Sequence, residues 1–460
     1  MADQPNILFI FDDQHRYDYL GASGASFLNT PNLDRIARQG IRFTQCAVNA
    51  PVCSASRMAL ATGLQTVRTG VLTNGFGKAP HGLPLYYQRL RDHGYWVASA
   101  GKLHLGRTGA PGPLGDPPGA FALGFTHPCE CEGKMSAGHH TTPSGPYTHY
   151  LHEQGLLDAF HQDYQKRIEA DWALANWDSA LPTEAFEDAF IGRKTADWIR
   201  NVPETHPWFM FINFVGPHSP FDPPTEYADR YRKAIVPDAI PSAREDKPQW
   251  IQDRVVGLNP DAITEAQRQY CAAIELIDDQ VGDILQVLEE RGMLDNTYII
   301  FSSDHGEMLG DFGLYAKFVA YEASLRVPLL VSGPGIQPGQ VSDALIELID
   351  LNPTICELAG LPPQPHIDAQ SFVPILNGEA TEHRTETASM LDNFRCIRTR
   401  EYKLIDNYND MLELYDLKND PHERNNIATE KPDVLEEMNG RLRQRFFGSP
   451  RRSPGMKVKI

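Results

Sequence analysis

The chain has 460 residues, 60 of them acidic and 42 basic, for a formal charge of −18 at pH 7. Hydrophobic residues at 41% and charged residues at 22% give a globular composition, not a disordered or fibrous one. The acidity argues against nucleic acid or an anionic membrane surface as the main partner, because such binding rests on clustered Lys and Arg.

The first residues, Met1 to Pro5, are polar, with no basic segment and no cleavage site. No signal peptide is therefore expected, and a cytoplasmic location is. Residues 6–11 are almost continuously apolar, as a strand buried on both faces must be. Helical patterns follow at residues 32–39, 54–61 and 85–93, and a second strand at 96–100. Residues 108–145 are rich in Gly and Pro and read as loop. A helix at 184–200 and a strand at 208–215 come next, then a second loop-like region at 217–260 with short helices expected in it. Residues 265–291 form a long predicted helix with Ile274, Ile277, Val281, Leu285 and Leu288 on one face and Gly292 as its C-cap.

Strands are predicted at 298–302 and 327–332. After about residue 375 the pattern changes to short strands at 395–400, 401–407 and 412–417 and an amphipathic helix at 431–447. The basic cluster at 451–459 reads as a solvated end. No stretch nears the roughly 20 apolar residues of a membrane span. Alternation of strand-length runs with helices predicts an α/β fold: a large, mostly parallel sheet sandwiched by helices. Residues 1–375 form the expected catalytic domain. Residues 376–460 form a smaller α+β domain with an antiparallel sheet.

The seven cysteines are odd in number and scattered, which fits reduced thiols better than a disulfide scaffold. Cys129 and Cys131 lack a second pair at zinc spacing. The first strand runs into Asp12-Asp13 and a later one into Asp304-His305-Gly306-Glu307. Ligands of open α/β sheets gather beyond the carboxyl ends of strands. Three carboxylates and an imidazole there suit a hard divalent cation, the alternative being that Asp12 and Asp304 only form turns or caps. Cys53 precedes a helix, where free N–H groups favour an anion, and Arg57, one turn on, could grip the same anion in a forked way. The plain alternative is an inert buried thiol. A cysteine hydrolase would need an activating His, and none lies in this segment.

Cys53-Ser54-Ala55-Ser56-Arg57, followed by Ala61-Thr62-Gly63, resembles the signature of the type I sulfatases of the alkaline phosphatase superfamily. In that family the cysteine is oxidised to Cα-formylglycine. Gly101-Lys102-Leu103-His104-Leu105-Gly106 resembles the second signature. Pro217-His218-Ser219-Pro220-Phe221 is similar to the segment with the leaving-group histidine, and Gly313-Leu314-Tyr315-Ala316-Lys317 to the active-site lysine region. Leu414-Tyr415-Asp416-Leu417 with Asp420-Pro421 resembles the end of many family C-terminal domains.

The resemblance implies an alkaline phosphatase-like fold and a formylglycine at residue 53. It implies one divalent cation, Ca2+ in preference to Mg2+ or Mn2+, held by Asp12, Asp13, Asp304, His305 and residue 53. Arg57, Lys102, His218 and Lys317 would bind sulfate, His218 or Lys317 would protonate the leaving alcohol, and His104 would act as the base that releases sulfate. Asn74, in Thr73-Asn74-Gly75, is a substrate contact or a turn former. The implied partners are a small sulfate ester (aryl, choline or sugar) and a formylglycine-generating maturase. The family pattern has proline where Ala55 stands, a variant that the radical-type maturases accept. The acidic total disfavours long polyanionic substrates but not a small ester.

Two other functions compete. Phosphonate monoester and phosphodiester hydrolases of the same superfamily replace the second acid and the Lys-x-His contacts, whereas this chain keeps Asp13, Lys102 and His104. A silent binding protein with unconverted Cys53 would have no use for His104, His218 and Lys317.

Overall fold

The computed structural model describes residues 4–74, 84–106, 111–139, 141–170, 175–241, 246–257 and 259–447. The basic cluster at 451–459 lies outside them. Among the described residues fourteen strands form three sheets. They are β1 (Asn6–Asp13), β2 (Gly40–Phe43), β3 (Cys46–Ala47), β4 (Trp96–Gly101), β5 (His127–Glu130), β6 (Trp208–Pro217) and β7 (Thr297–Ser303). After these come β8 (Leu329–Ser332), β9 (Gln340–Ser342), β10 (Ile346–Glu347), β11 (Thr387–Met390), β12 (Phe394–Arg398), β13 (Tyr402–Asn407) and β14 (Leu412–Asp416). The large sheet has the order β5-β4-β6-β1-β7-β8-β2-β9.

β1 shows why the sheet sits between two layers of helices. Ile7, Phe9 and Phe11 face one core and Leu8 and Ile10 the other, all at 0% exposure. Each such buried side chain contributes about 1.5–3 kcal/mol. The first core includes Ala55, Met58, Leu60 and Ala61 of the helix Cys53–Thr62. The second includes Leu33 and Ile36 of the helix Pro31–Gln39 and the apolar face of Pro260–Glu290. That long helix starts earlier than the apolar spacing alone predicts. Asn259 accepts from Ala262 N–H at 2.8 Å and Pro260 follows at the first helical position.

Pairing departs from expectation in two places. β8 runs antiparallel to both β7 and β2. The region expected as loop at 108–145 contains β5, paired parallel to β4, and the short helices Pro118–Leu123 and Lys134–His139.

Strands β11 to β14 form the antiparallel sheet. Ile397, Leu404 and Leu414 meet Met438 and Leu442 of the helix Pro432–Arg445. The alternate residues Phe394, Cys396, Ile405 and Tyr415 join the first core. The small sheet is thus docked by one whole face. Buried charges reinforce the junction: Glu322 bonds Arg398 at 2.9 Å and Lys403 at 2.8 Å. Among the described residues no helix is long and apolar enough to cross a membrane.

Candidate active site

Strands β4, β6, β1 and β7 are neighbours and parallel. Their carboxyl ends therefore open at one edge, and each delivers a polar residue there: Lys102 after β4, His218 after β6, Asp12 and Asp13 on β1, Asp304 and His305 after β7. Gly101 makes the turn into Lys102 at φ 99°, and a Cβ on it would stand 1.9 Å from the Asn213 carbonyl oxygen.

The helix Cys53–Thr62, buried along its whole length, points its N-terminus at the same edge. Its N-cap Val52 offers no side-chain acceptor, and Asn74 Oδ1 takes the Ser54 N–H at 3.2 Å. Cys53 Sγ lies 3.2 Å from His305 Nε2 and 3.7 Å from Asp13 Oδ1. Burial opposes a charge on the thiol, yet Lys317 and Lys102 above all outweigh it and hold Cys53 well below its ordinary range. Residue 53 thus occupies a point where negative charge is stabilised.

Ligand atoms of Asp13, Cys53, Asp304 and His305 all lie within 4.8 Å of one another. His305 Nδ1 is 2.9 Å from the Gly306 carbonyl. A carbonyl only accepts, so Nδ1 carries the hydrogen and Nε2 offers its lone pair to the cluster. Asp12 stands outside these four. Its Oδ2 bonds His15 Nδ1 at 2.6 Å, while Oδ1 is buried without a hydrogen-bond partner among the described residues. Burial raises the Asp12 and Asp304 carboxyls, and the Asp13 charge adds to the rise at Asp304. A buried, unsatisfied carboxylate oxygen beside this donor set fits an oxygen-preferring divalent cation.

Arg57 does something other than fork around an external anion. Nε donates to Asp304 Oδ2 at 2.8 Å, and Nη1 to the Lys102 carbonyl at 2.8 Å and Asn213 Oδ1 at 2.9 Å. Among the described residues Nη2 alone is left without a hydrogen bond, 3.6 Å from Asp13 Oδ2. Lys102 Nζ bonds Asp13 Oδ2 at 2.6 Å. Burial and the Cys53 charge oppose ionisation of Asp13, but Lys102 above all keeps its carboxyl below the usual range.

Lys317 Nζ contacts Gln14 Oε1 at 2.5 Å and His218 Nε2 at 2.6 Å. His218 Nδ1 is 2.5 Å from the Ser219 carbonyl, so Nδ1 carries the hydrogen and Nε2 accepts from the ammonium. Burial and the Lys317 charge push this imidazole down to about 4, and it is neutral at neutral pH. His104 Nε2 is 3.0 Å from Ser54 Oγ and its Nδ1 is buried without a partner among the described residues. Gln14 (φ 79°), His104 (φ 53°) and Ala316 (φ 61°) all sit in the left-handed region, so backbone strain gathers around the site.

A model of the sulfatase family matches residues 5–361. The chain belongs to the sulfatase family. It is a sulfuric ester hydrolase, and a second model, described as the N-sulphoglucosamine sulphohydrolase C-terminal region, matches residues 310–447. An arylsulfatase of Clostridium perfringens is 28% identical over 452 residues, covering 92% of this chain and 90% of the relative. A choline-sulfatase of Rhizobium meliloti is 29% identical over 449 residues, covering 92% and 82%. The phosphonate monoester hydrolase of Agrobacterium radiobacter shares the fold, with a TM-score of 0.79, 24% identity and 96% of each chain covered.

In this sulfatase several residues of the site escape sequence reasoning. Gln14 holds Lys317, donates from its backbone N–H to Asp304 Oδ1 at 3.1 Å, and bonds Glu307 through Nε2. His15 anchors Asp12, Asn213 anchors Arg57, and Lys134 Nζ donates to the carbonyls of His218 and Pro220. Only Gln14 and His15 carried a signal, as polar residues directly after a strand end. Asn74 is exposed and caps the Cys53 helix. Its reading as a turn former rests on Gly75, which lies outside the described residues.

Proposed function

We propose that the protein hydrolyses a small sulfate monoester with Cys53 converted to Cα-formylglycine, and that Asp12, Asp13, Asp304, His305 and residue 53 hold one divalent cation, Ca2+ in the first place. The observation that carries the reading is the place of residue 53, at the N-terminus of its buried helix and in one cluster with Asp13, Asp304 and His305. Lys317 and Lys102 above all outweigh the burial of its side chain. A nucleophile that must become an oxyanion needs such surroundings.

The cation, when bound, supplies charge that favours an ionised hydroxyl next to it. The hydrated aldehyde supplies two hydroxyls, one to attack sulfur and one to expel sulfate afterwards, a second step that serine and cysteine lack. Asp13, with Oδ1 3.7 Å from Cys53 Sγ, accepts the first proton. Lys102, Lys317 and Arg57 Nη2 bind the sulfate oxygens and stabilise the charge that develops on them. Lys317 and His218 protonate the departing alcohol together, the resting proton being on Lys317. His104 accepts the proton of the second hydroxyl, a role supported by its link to Ser54, the residue next to Cys53. Asn74, exposed and bonded to the Ser54 N–H, is the weaker candidate for a substrate contact. Ala55 points to a radical-type maturase as the partner that converts Cys53.

Two measurements test the reading. Intact mass of active enzyme should find a thiol exchanged for an aldehyde at residue 53, with cation-dependent turnover lost in Cys53→Ala. Matched aryl sulfate and aryl phosphonate esters should be cleaved with a preference for sulfate. A free thiol in fully active protein, or a large phosphonate preference, overturns it.

A further inference from the structure

We propose that Arg254, flanked by the rings of Trp250 and Phe318, binds an anionic group on the alcohol part of the ester, so that favoured substrates carry a carboxylate or a second sulfate beside the one cleaved. This rests on the sulfatase reading above and names the substrate class for it.

Arg254 follows the short helix Gln249–Gln252 and reaches the active-site lysine, donating from Nη2 to the Lys317 carbonyl at 2.8 Å. Its Nε and Nη1 make no hydrogen bond to any described residue, and no carboxylate of the described residues forms an ion pair with it. The other arginines around the site differ. Arg16, Arg57, Arg326 and Arg398 each pair with a carboxylate. A half-buried guanidinium without a counter-charge is costly unless an anion completes it. Burial pushes Arg254 down to about 10, and the nearby Glu307 charge, which makes no ion pair with it, offsets this only in part.

The surroundings suit an organic group as well as a charge. The guanidinium carbon is 6.0 Å from the Trp250 ring centre and 5.9 Å from that of Phe318, at the outer limit of a cation–π contact, so its hydrogen-bonding edge is not held by the rings. Phe318 has φ 75°, which is unusual for a bulky side chain and marks backbone kept in place by its neighbours. Its N–H donates to the carbonyl of Pro51, two residues before Cys53, at 3.1 Å. Arg254 and Phe318 thereby stand beside Lys317 and the segment that leads into Cys53. Planar, paired N–H donors are the recognition geometry for carboxylate and sulfate.

The test compares kcat/KM for 4-carboxyphenyl sulfate, 1,4-phenylene disulfate and the neutral 4-carbamoylphenyl sulfate. The carbamoyl ester has a leaving group at least as good, so a preference for the anionic esters reports binding and not chemistry. Wild-type enzyme should favour one or both anionic esters by about tenfold or more, as charge-assisted hydrogen bonds do. The ratio should collapse in Arg254→Met and reverse toward 4-(aminomethyl)phenyl sulfate in Arg254→Glu. The two anionic esters show whether carboxylate or sulfate is preferred. A wild-type ratio near one, or a ratio that Arg254→Met leaves unaltered, overturns the proposal; the latter would mean that Arg254 only supports Lys317. Calorimetric binding of 4-hydroxybenzoate against 4-hydroxybenzamide reads the same subsite without turnover. Loss of sulfate hydrolysis with this binding preference intact would fail the sulfatase reading alone, and hydrolysis without any preference would fail the subsite alone.

Discussion

Lys317 Nζ and His218 Nε2 lie 2.6 Å apart in the interior, and the imidazole is the acceptor of that bond because its Nδ1 hydrogen is committed to the Ser219 carbonyl. The pair therefore holds one transferable proton, kept on the lysine. Lys317→Met and His218→Gln should each lower kcat by about 10²–10⁴. The double variant should lie close to the worse single one, as groups acting as a unit do. Losses should be larger on alkyl sulfates than on 4-nitrophenyl sulfate, whose leaving group departs without a proton. Single losses that multiply in the double variant would show two independent roles.

Asp13 and Asp304 already have positive partners inside the chain, Lys102 at 2.6 Å and Arg57 at 2.8 Å. The fold should thus survive removal of the cation while the chemistry does not. Chelated protein should be inactive and still unfold cooperatively. Returning Ca2+ at about 100 to 1,000 times its Kd should add about 2.7 to 4.1 kcal/mol to the unfolding free energy. Asp12→Asn should gain less, because the unpartnered Oδ1 is the oxygen the ion would satisfy. Unfolding followed against cation concentration measures both, and collapse of the chelated protein would contradict the pairing argument.

What could be read in advance follows from which features are local. The apolar run of β1 and the acid pairs at two strand ends are contiguous, so fold class and most of the candidate metal cluster were legible. The direction of β8 was not, since an apolar strand looks alike in either orientation. β5 was hidden because His127-Pro128-Cys129-Glu130 has no strand pattern, being stabilised by its pairing with β4. Gln14 and Lys317 are 303 positions apart, and nothing short of the folded chain reveals their bond. Arg57 shows the opposite limit. Its position was legible, but the carboxylate and carbonyls that engage Nε and Nη1 were not.

Lys134 was unreadable for the same reason, yet it fixes the loop that carries His218. Its Nζ donates to the carbonyls of His218 at 3.2 Å and Pro220 at 3.1 Å and to Asp222 at 2.6 Å, all in the interior. Lys134→Met leaves the Asp222 charge buried and unpaired, with an expected loss of about 3–5 kcal/mol. Adding Asp222→Asn should restore part of that stability but not the full kcat, since the two carbonyls still lack their donor. Urea unfolding and initial rates measure the two effects. A single-variant loss below about 1 kcal/mol would mean that the pair is not as dry as its burial indicates.

Asp188 offers a pH test on the strand leading to the same loop. Its Oδ1 accepts from the N–H groups of Val215 at 2.8 Å and Gly216 at 3.0 Å, while Oδ2 is buried without a hydrogen-bond partner among the described residues. Burial, only partly offset by Lys134 and those two N–H groups, raises the carboxyl from 3.8 to about 6. The folded state thus holds this proton more tightly than the unfolded chain. The carboxylate therefore costs stability at neutral pH, roughly 3 kcal/mol for such a gap, and the cost fades as pH falls through about 6 toward the unfolded value. Asp188→Asn keeps an oxygen acceptor for both N–H groups and puts a neutral amide where Oδ2 stands. The variant should be more stable than wild type at about pH 8, with the gap reduced to about a third at about pH 4.5. Urea midpoints across that range measure the difference, and a gap that does not change with pH would show that Asp188 does not titrate there.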